Sequence, residues 1–266
     1  MDMYKLNQVP SETKIKMYLR RILYNGKNMV CPECHSRLVC RYEDRYRCKR
    51  CRCKFSLLSH TWLGGIRLPL QQLWLLLWCW CRQVPVRQTA ELTGLSRQTV
   101  YARFTDFRQH IPYDPVILEG VVQLDEAYGR GWLVLMGKQA GTRKLAHVVL
   151  KGNSANRVHA LGFLETHVKP GSQLNTDGAL IYKGIDQWWP VTHGVDIHKR
   201  FEFGQTSEQE GMFGVMRTFI RRMYHHITPD TASDYVSEFC ARFSTPDIFE
   251  SPLKYLEKTL IFVPRA

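Results

Sequence analysis

No run of this 266-residue chain stays apolar for the roughly 20 residues that a membrane-crossing helix requires. The greasiest stretch, Leu68–Cys81 (LPLQQLWLLLWCWC), falls short of that length and is interrupted by Gln71 and Gln72, so it reads as a buried helix rather than a span. The opening MDMYKLNQVPSETKIKMYLRR has no apolar core of signal-peptide length, and a cytoplasmic protein is expected. Acid is the scarce charge: 24 Asp+Glu against 37 Lys+Arg leave +13, too basic for an ordinary metabolic enzyme. What is present is enough to fold. With 44% apolar, 12% aromatic and 23% charged residues the chain can bury a sizeable core, which excludes intrinsic disorder and suggests one large domain or two to three small ones.

The positive charge is concentrated at one end. Met1–Pro115 holds 20 basic and 8 acidic residues, whereas Val116–Ala266 holds 17 and 16. A basic head on a near-neutral body is the electrostatic outline of a nucleic-acid-binding module joined to a working domain; a solvated basic surface without a partner is the plainer alternative.

Nine cysteines without an export signal point to a reducing compartment, where paired thiols hold metal more often than they form disulfides. Cys31 and Cys34 (VCPECH) and Cys48 and Cys51 (YRCKRC) form two Cys-x-x-Cys knuckles. That spacing lets four thiolates reach one tetrahedral zinc at about 2.3 Å and leaves no open position for water, so the metal is structural. Between the knuckles, LVCRYEDRYR reads as a hairpin turning at Glu43-Asp44, which makes the segment a zinc ribbon. Cys40 and Cys53 are read as spectators. Arg37, Arg41, Arg45, Arg47, Lys49, Arg50, Arg52 and Lys54 surround the ribbon with a cation density suited to phosphate.

After the ribbon, Leu70–Cys81 is apolar nearly all round, as the inner helix of a small bundle would be. A short helix over Val86–Thr93 with Ala90 inward, a turn at Gly94, and a second helix capped by Ser96 and running to about Arg108 give the form of a helix-turn-helix. The second helix of such a motif enters the major groove, which nominates Arg97, Gln98 and Arg103 as DNA contacts. A plain helical hairpin is the alternative.

From Gly120 the texture changes. GVVQLDEAYG, GWLVLMG and KLAHVVLKG read as strands, ANRVHALGFLETHV as a helix and SQLNTDGALIY as a fourth strand, the opening of an α/β RNase H-like fold. There an acid at the middle or end of the first strand lies beside one just after the fourth; Asp125 and Asp177 occupy those places. A third carboxylate is needed to hold two magnesium ions for in-line phosphoryl transfer. Glu210 is preferred over Glu208 because Arg217 stands two turns along the same helical face, where its guanidinium can grip a phosphate. Strand alternation turns Glu126 away from the site, and helix rotation turns Glu208 away. Singly, Asp125 could be a strand-end cap, Asp177 an Asx-turn residue and Glu210 a surface residue; together, in order on the expected elements, they make a triad. The expected division is 1–60, zinc ribbon with an N-terminal helix; 61–115, helix-turn-helix; and 116–266, catalytic domain.

From about Val30 to Phe243 the chain resembles the ISXO-like insertion-sequence transposases, DDE enzymes with an N-terminal zinc ribbon. The matching pieces are CPEC with CKRC, FSLLSHTWLGGIRLPLQQLW, LDEAYG, NTDG followed by Tyr182, the pair Glu210 and Arg217, MYHHI and YVSEFCARF. The resemblance implies binding of terminal inverted repeats, DNA cleavage and strand transfer with magnesium or manganese held by Asp125, Asp177 and Glu210, structural zinc, and a dimer or higher assembly on double-stranded DNA at the nucleoid. Departures are Gln205-Thr206-Ser207 where the family has His-Thr-Asn, Phe213 for Trp, Arg217 for Lys, and Arg242-Phe243-Ser244 for Arg-Tyr-Asn. A catalytically inactive or domesticated DNA-binding regulator is the rival reading, and a nuclease or resolvase that hydrolyses without joining is a third.

Overall fold

The computed structural model describes residues 9–196 and 207–262, with the side chains of Asp196 and of 207–210 left undefined. The chain divides into two compact units, Met1–Arg103 with Asp247–Ala266, and Phe104–Pro246.

In the first unit, α1 (Glu12–Tyr24) starts at Ser11, whose hydroxyl accepts the Lys14 N–H at 3.4 Å. The ribbon follows as β1 (Val39–Tyr42), β2 (Arg45–Cys48) and β3 (Lys54–Phe55), an antiparallel sheet in that order. The hairpin turns at Glu43-Asp44 as expected, because Tyr42 pairs with Arg45. Helices α2 (Leu70–Cys81) and α3 (Val86–Thr93) come next, with α4 (Arg97–Gln109) beginning in this unit. Gly94 ends α3 at φ 68°, a left-handed cap that glycine reaches without steric cost, and Ser96 accepts the Thr99 N–H at 3.1 Å to start α4. The inner face of α3 is carried by Thr89 rather than by Ala90. Thr89 is fully buried, which its hydroxyl tolerates by donating to the Val84 carbonyl at 3.1 Å.

The last helix, α8 (Pro252–Thr259), belongs to this unit and not to the segment 116–266 in which the sequence reading put it. The reason lies in α2. A helix apolar on all sides needs cover on all sides, and α1, α3 and α8 each pack on it. Trp80 of α2 is fully buried with its ring 5.0 Å from that of Tyr255, and the Trp62 indole N–H reaches the Thr259 carbonyl at 3.0 Å. Among the described residues no helix is long and apolar enough to cross a membrane.

The second unit is built on a mixed five-stranded sheet: β4 (Val121–Tyr128), β5 (Trp132–Gln139), β6 (Leu145–Lys151), β7 (Gln173–Asp177) and β8 (Thr192–Asp196), in the order β6-β5-β4-β7-β8. The first three strands are antiparallel neighbours, and β7 and β8 run parallel to β4. Helix α5 (Arg157–His167) crosses from β6 to β7 and covers one face through Ala160, Phe163 and Leu164, packed with Val122, Leu124 and Leu135. Gly137 makes that approach possible: a Cβ there would lie 2.8 Å from both Leu118 and Phe163. Helix α6 (Ser207–Tyr224) packs against β4 and α7 (Ala232–Ser244) against β6. Helices on both faces explain why β5 is apolar from Trp132 to Gly137 and buried as far as Lys138.

A buried charge network fastens α4 to α7 in this unit. Glu238 is fully buried; it accepts from Arg108 Nε at 2.8 Å, Arg242 Nε at 2.9 Å and the Tyr224 hydroxyl at 2.7 Å. The Arg108 guanidinium also lies 4.0 Å from the centre of the Tyr235 ring, which spreads the second positive charge. Breaking such a cluster strands charge in the core. Glu238→Gln is expected to cost about 3–5 kcal/mol, seen as a lower urea midpoint at unchanged slope; a midpoint equal to that of the parent would refute the assignment of Glu238 as the counter-ion.

Candidate functional site

The two strands that carry the aspartates are hydrogen-bonded neighbours. Val121, Val122 and Gln123 of β4 pair with Gln173, Leu174 and Asn175 of β7 in parallel, so continuing the register brings Asp125 and Asp177 side by side at the carboxyl ends. Asp125 Oδ1 accepts the Glu126 N–H at 2.7 Å, and Asp177 Oδ1 accepts the Ala179 N–H at 3.0 Å, the Asx-turn bond that also swings the chain away after the strand. Behind Asp177, the Thr176 hydroxyl and His193 Nε2 lie 2.9 Å apart and tie β7 to β8.

Glu126 is the residue that the sequence reading misplaced. Alternation does put it on the face opposite Asp125, with Val122 and Leu124, but its longer side chain reaches the strand end. There Asp125, Glu126 and Asp177 each offer an oxygen within 4.8 Å of the others. Tyr182, fully buried, donates its hydroxyl to Glu126 Oε2, and Tyr128 donates to Oε1 at 3.4 Å. Burial pushes the Glu126 carboxyl above the usual glutamate range, against the pull of the Tyr182 hydrogen bond, and the Asp177 charge adds to the rise. Carboxylates about 5 Å apart repel by on the order of 3 kcal/mol per pair at an effective dielectric of ~20. A divalent cation relieves that repulsion, and the all-oxygen donor set suits magnesium or manganese.

Of the remaining residues expected here, Glu210 lies in α6, with its side chain outside the described set, as does that of Glu208. Arg217 is exposed on the same helix, opposite the buried stripe of Met212, Phe213, Met216 and Phe219. Residues 205 and 206 lie outside the described residues.

The cysteine site is closed. Cys31, Cys34, Cys48 and Cys51 place their sulfurs within 4.8 Å of one another, with Cys31 to Cys51 at 3.5 Å and Cys34 to Cys48 at 3.6 Å. A tetrahedron of thiolates ~2.3 Å from zinc has edges of ~3.8 Å, so the four fit one ion. The knuckles are local copies: His35 N–H bonds to Cys31 O at 2.9 Å and Arg52 N–H to Cys48 O at 3.0 Å, with φ of 56° at His35 and 62° at Arg52. Backbone amides of Cys51 and Arg50 help pull the Cys48 thiol down to about 6, toward the thiolate a metal requires. Cys40 and Cys53 point elsewhere, toward the carbonyls of Arg47 and Lys54. Arg37, Arg41, Arg45, Lys49, Arg50, Arg52 and Lys54 are exposed around the ribbon. On α4, Arg97 and Gln98 are exposed and Arg103 is half-buried.

Comparison with known proteins bears on both sites. Residues 117–244 match the family described as the ISXO2-like transposase domain, and residues 10–54 match the transposase zinc-ribbon domain. No curated protein matches. Among solved structures, a simian T-cell lymphotropic virus intasome in complex with the PP2A regulatory subunit B56 gamma has a chain 9% identical, with a TM-score of 0.36 over 63% of this chain and 67% of that one, a likeness too faint to bear on function. The two family matches bracket both metal-competent clusters, and the chain belongs to the ISXO-like transposases, with a zinc ribbon ahead of a DDE transposase domain.

Proposed function

We propose that this chain binds the terminal inverted repeats of an insertion sequence and catalyses metal-dependent DNA cleavage and strand transfer. The observation that carries the reading is the pairing of Asp125 with Asp177 at the carboxyl ends of adjacent parallel strands, inside the segment that matches the transposase domain. The strand order, three antiparallel strands followed by two parallel ones, supports an RNase H-like assignment for the body. The roles assigned in this reading are ribbon through residue 60, helix-turn-helix over 61–115 and catalytic domain from 116, while the compact units divide at Arg103 and α8 belongs to the first of them.

Asp125, Asp177 and Glu210 hold two magnesium or manganese ions in this reading. When bound, the ions supply an activated water for cleavage, an activated 3′-OH for joining, and charge to stabilise the leaving oxygen. The side chains set the geometry: Asp125 and Asp177 are fixed by backbone N–H groups, and Arg217 neutralises a neighbouring phosphate. Zinc in the ribbon is structural, the DNA partner is double-stranded, and handling two transposon ends together calls for a dimer or higher assembly in the cytoplasm at the nucleoid.

Binding and chemistry are separately measurable. With radiolabelled end DNA and magnesium, the parent should nick and then join; a parent that binds ends but does neither hands the case to the regulator reading, and one that cuts without joining to the nuclease reading. Binding to ends should weaken steeply with salt as the cations of the head release condensed counterions. Arg97→Ala should lose about 1–3 kcal/mol of discrimination between end and random DNA while leaving the salt slope nearly unchanged; equal loss on both DNAs would make Arg97 a phosphate contact.

A further inference from the structure

We propose that Glu126 is a further carboxylate ligand to a divalent cation in the Asp125–Asp177 site, and that Tyr182 is the residue that positions it. The proposal rests on the metal-binding reading of that site. The sheet alone would send Glu126 into the layer of Val122 and Leu124; instead its carboxylate sits at the strand end, with an oxygen within 4.8 Å of ligand oxygens of both aspartates. It is aimed there by a phenol with no exposure to solvent. The Tyr182 ring is buried in the core cluster that also holds Leu124, Leu164 and Ile185. Its hydroxyl is therefore a fixed point, and the carboxylate that accepts from it has little rotational choice. Tyr128, on the solvent side, takes the other oxygen at 3.4 Å.

Each carboxylate oxygen has two lone-pair directions, so accepting one phenolic proton leaves the second free for a cation. The pairing thus works as outer-shell partners do for metal ligands, holding orientation without displacing the metal. Sequence placement agrees. Glu126 lies in LDEAYG and Tyr182 follows NTDG, two of the segments on which the family resemblance rests.

The competing role is structural, with Glu126 serving only to accept the buried Tyr182 hydrogen bond. Glutamine separates the two, because its amide oxygen accepts from a phenol equally well but carries no charge. The measurement is Mn2+ binding to the full, zinc-replete chain without DNA, followed by the electron-spin-resonance signal of free Mn2+, with thermal midpoints alongside. Glu126→Gln should weaken Mn2+ binding by about tenfold or more at an unchanged midpoint, and should raise the magnesium concentration needed for half-maximal nicking. Tyr182→Phe keeps the charge but loses the anchor and should weaken Mn2+ binding by about 10-fold. Asp125→Asn is the reference for loss of the site. Glu126→Gln titrating like the parent, beside an Asp125→Asn that has lost the ion, would overturn the role of Glu126 alone. A parent that binds no Mn2+ would overturn the metal reading of the whole site, and this role with it.

Discussion

Asp125→Asn and Asp177→Asn are each expected to lower nicking of end DNA by about 10³-fold while leaving end binding close to that of the parent. The magnitude follows from charge. A unit charge about 4 Å from an ion at an effective dielectric of ~20 is worth about 4 kcal/mol, and each ~1.36 kcal/mol of barrier is a factor of ten in rate. Both substitutions keep side-chain shape, and both acids are only partly buried at the edge of the core, so the unit should still fold. The backbone bonds from Glu126 N–H and Ala179 N–H can be kept by the amide oxygen of Asn. Glu210→Gln is expected to behave like the two aspartate variants, and Glu208→Gln like the parent; the reverse result would move the third ligand two positions along α6. Should Asp177→Asn nick at the parental rate, the pair on β4 and β7 is not the catalytic centre, and the transposase reading loses the geometry that carries it.

The parts of this molecule that could be read in advance are those whose information is local. Knuckle spacing is a covalent constraint, and the hairpin between Cys34 and Cys48 turns where Glu43-Asp44 interrupts the strand pattern. The helix break at Gly94 and the cap at Ser96 are single-residue signals with a steric or hydrogen-bonding cause. The succession of three strands, one helix and a fourth strand around Asp125 and Asp177 followed from the apolar patterning along the chain, whereas the pairing of the first of these strands with the fourth is seen in the sheet itself. What stayed hidden depends on partners far away in the chain. Alternation treats a side chain as a vector fixed at Cβ, but glutamate has enough free torsions at the last turns of a strand to cross toward the site, and only Tyr182, 56 residues away, decides that it does. The burial of Glu238 depends on Arg108, which meets it from 130 positions upstream. The return of α8 to α2 is invisible for the same reason, since nothing within Pro252–Thr259 names Trp80 as its partner.

Zinc removal should have the other large effect, and it should fall on one end of the molecule. The ribbon sheet has strands of four, four and two residues. Of its own side chains only Cys48 and Phe55 are buried, so its apolar core cannot offset the entropy of ordering three strands. A structural zinc contributes about 10–16 kcal/mol of apparent binding free energy in small domains of this kind, far more than the sheet can supply. Cys48→Ser removes the ligand at the end of β2, the one whose thiol the backbone amides help pull down to about 6. The expected result is loss of tightly held zinc from about one ion per chain to none, loss of amide exchange protection across residues 39–55, and loss of end-specific DNA binding. The five-stranded sheet has its own core and should keep its protection. Cys53→Ser, whose thiol faces the Lys54 carbonyl instead of the cluster, should retain the ion. Full zinc stoichiometry in Cys48→Ser would show that Cys48 is not a ligand, and an ordered ribbon in the absence of zinc would show that the fold does not depend on the metal.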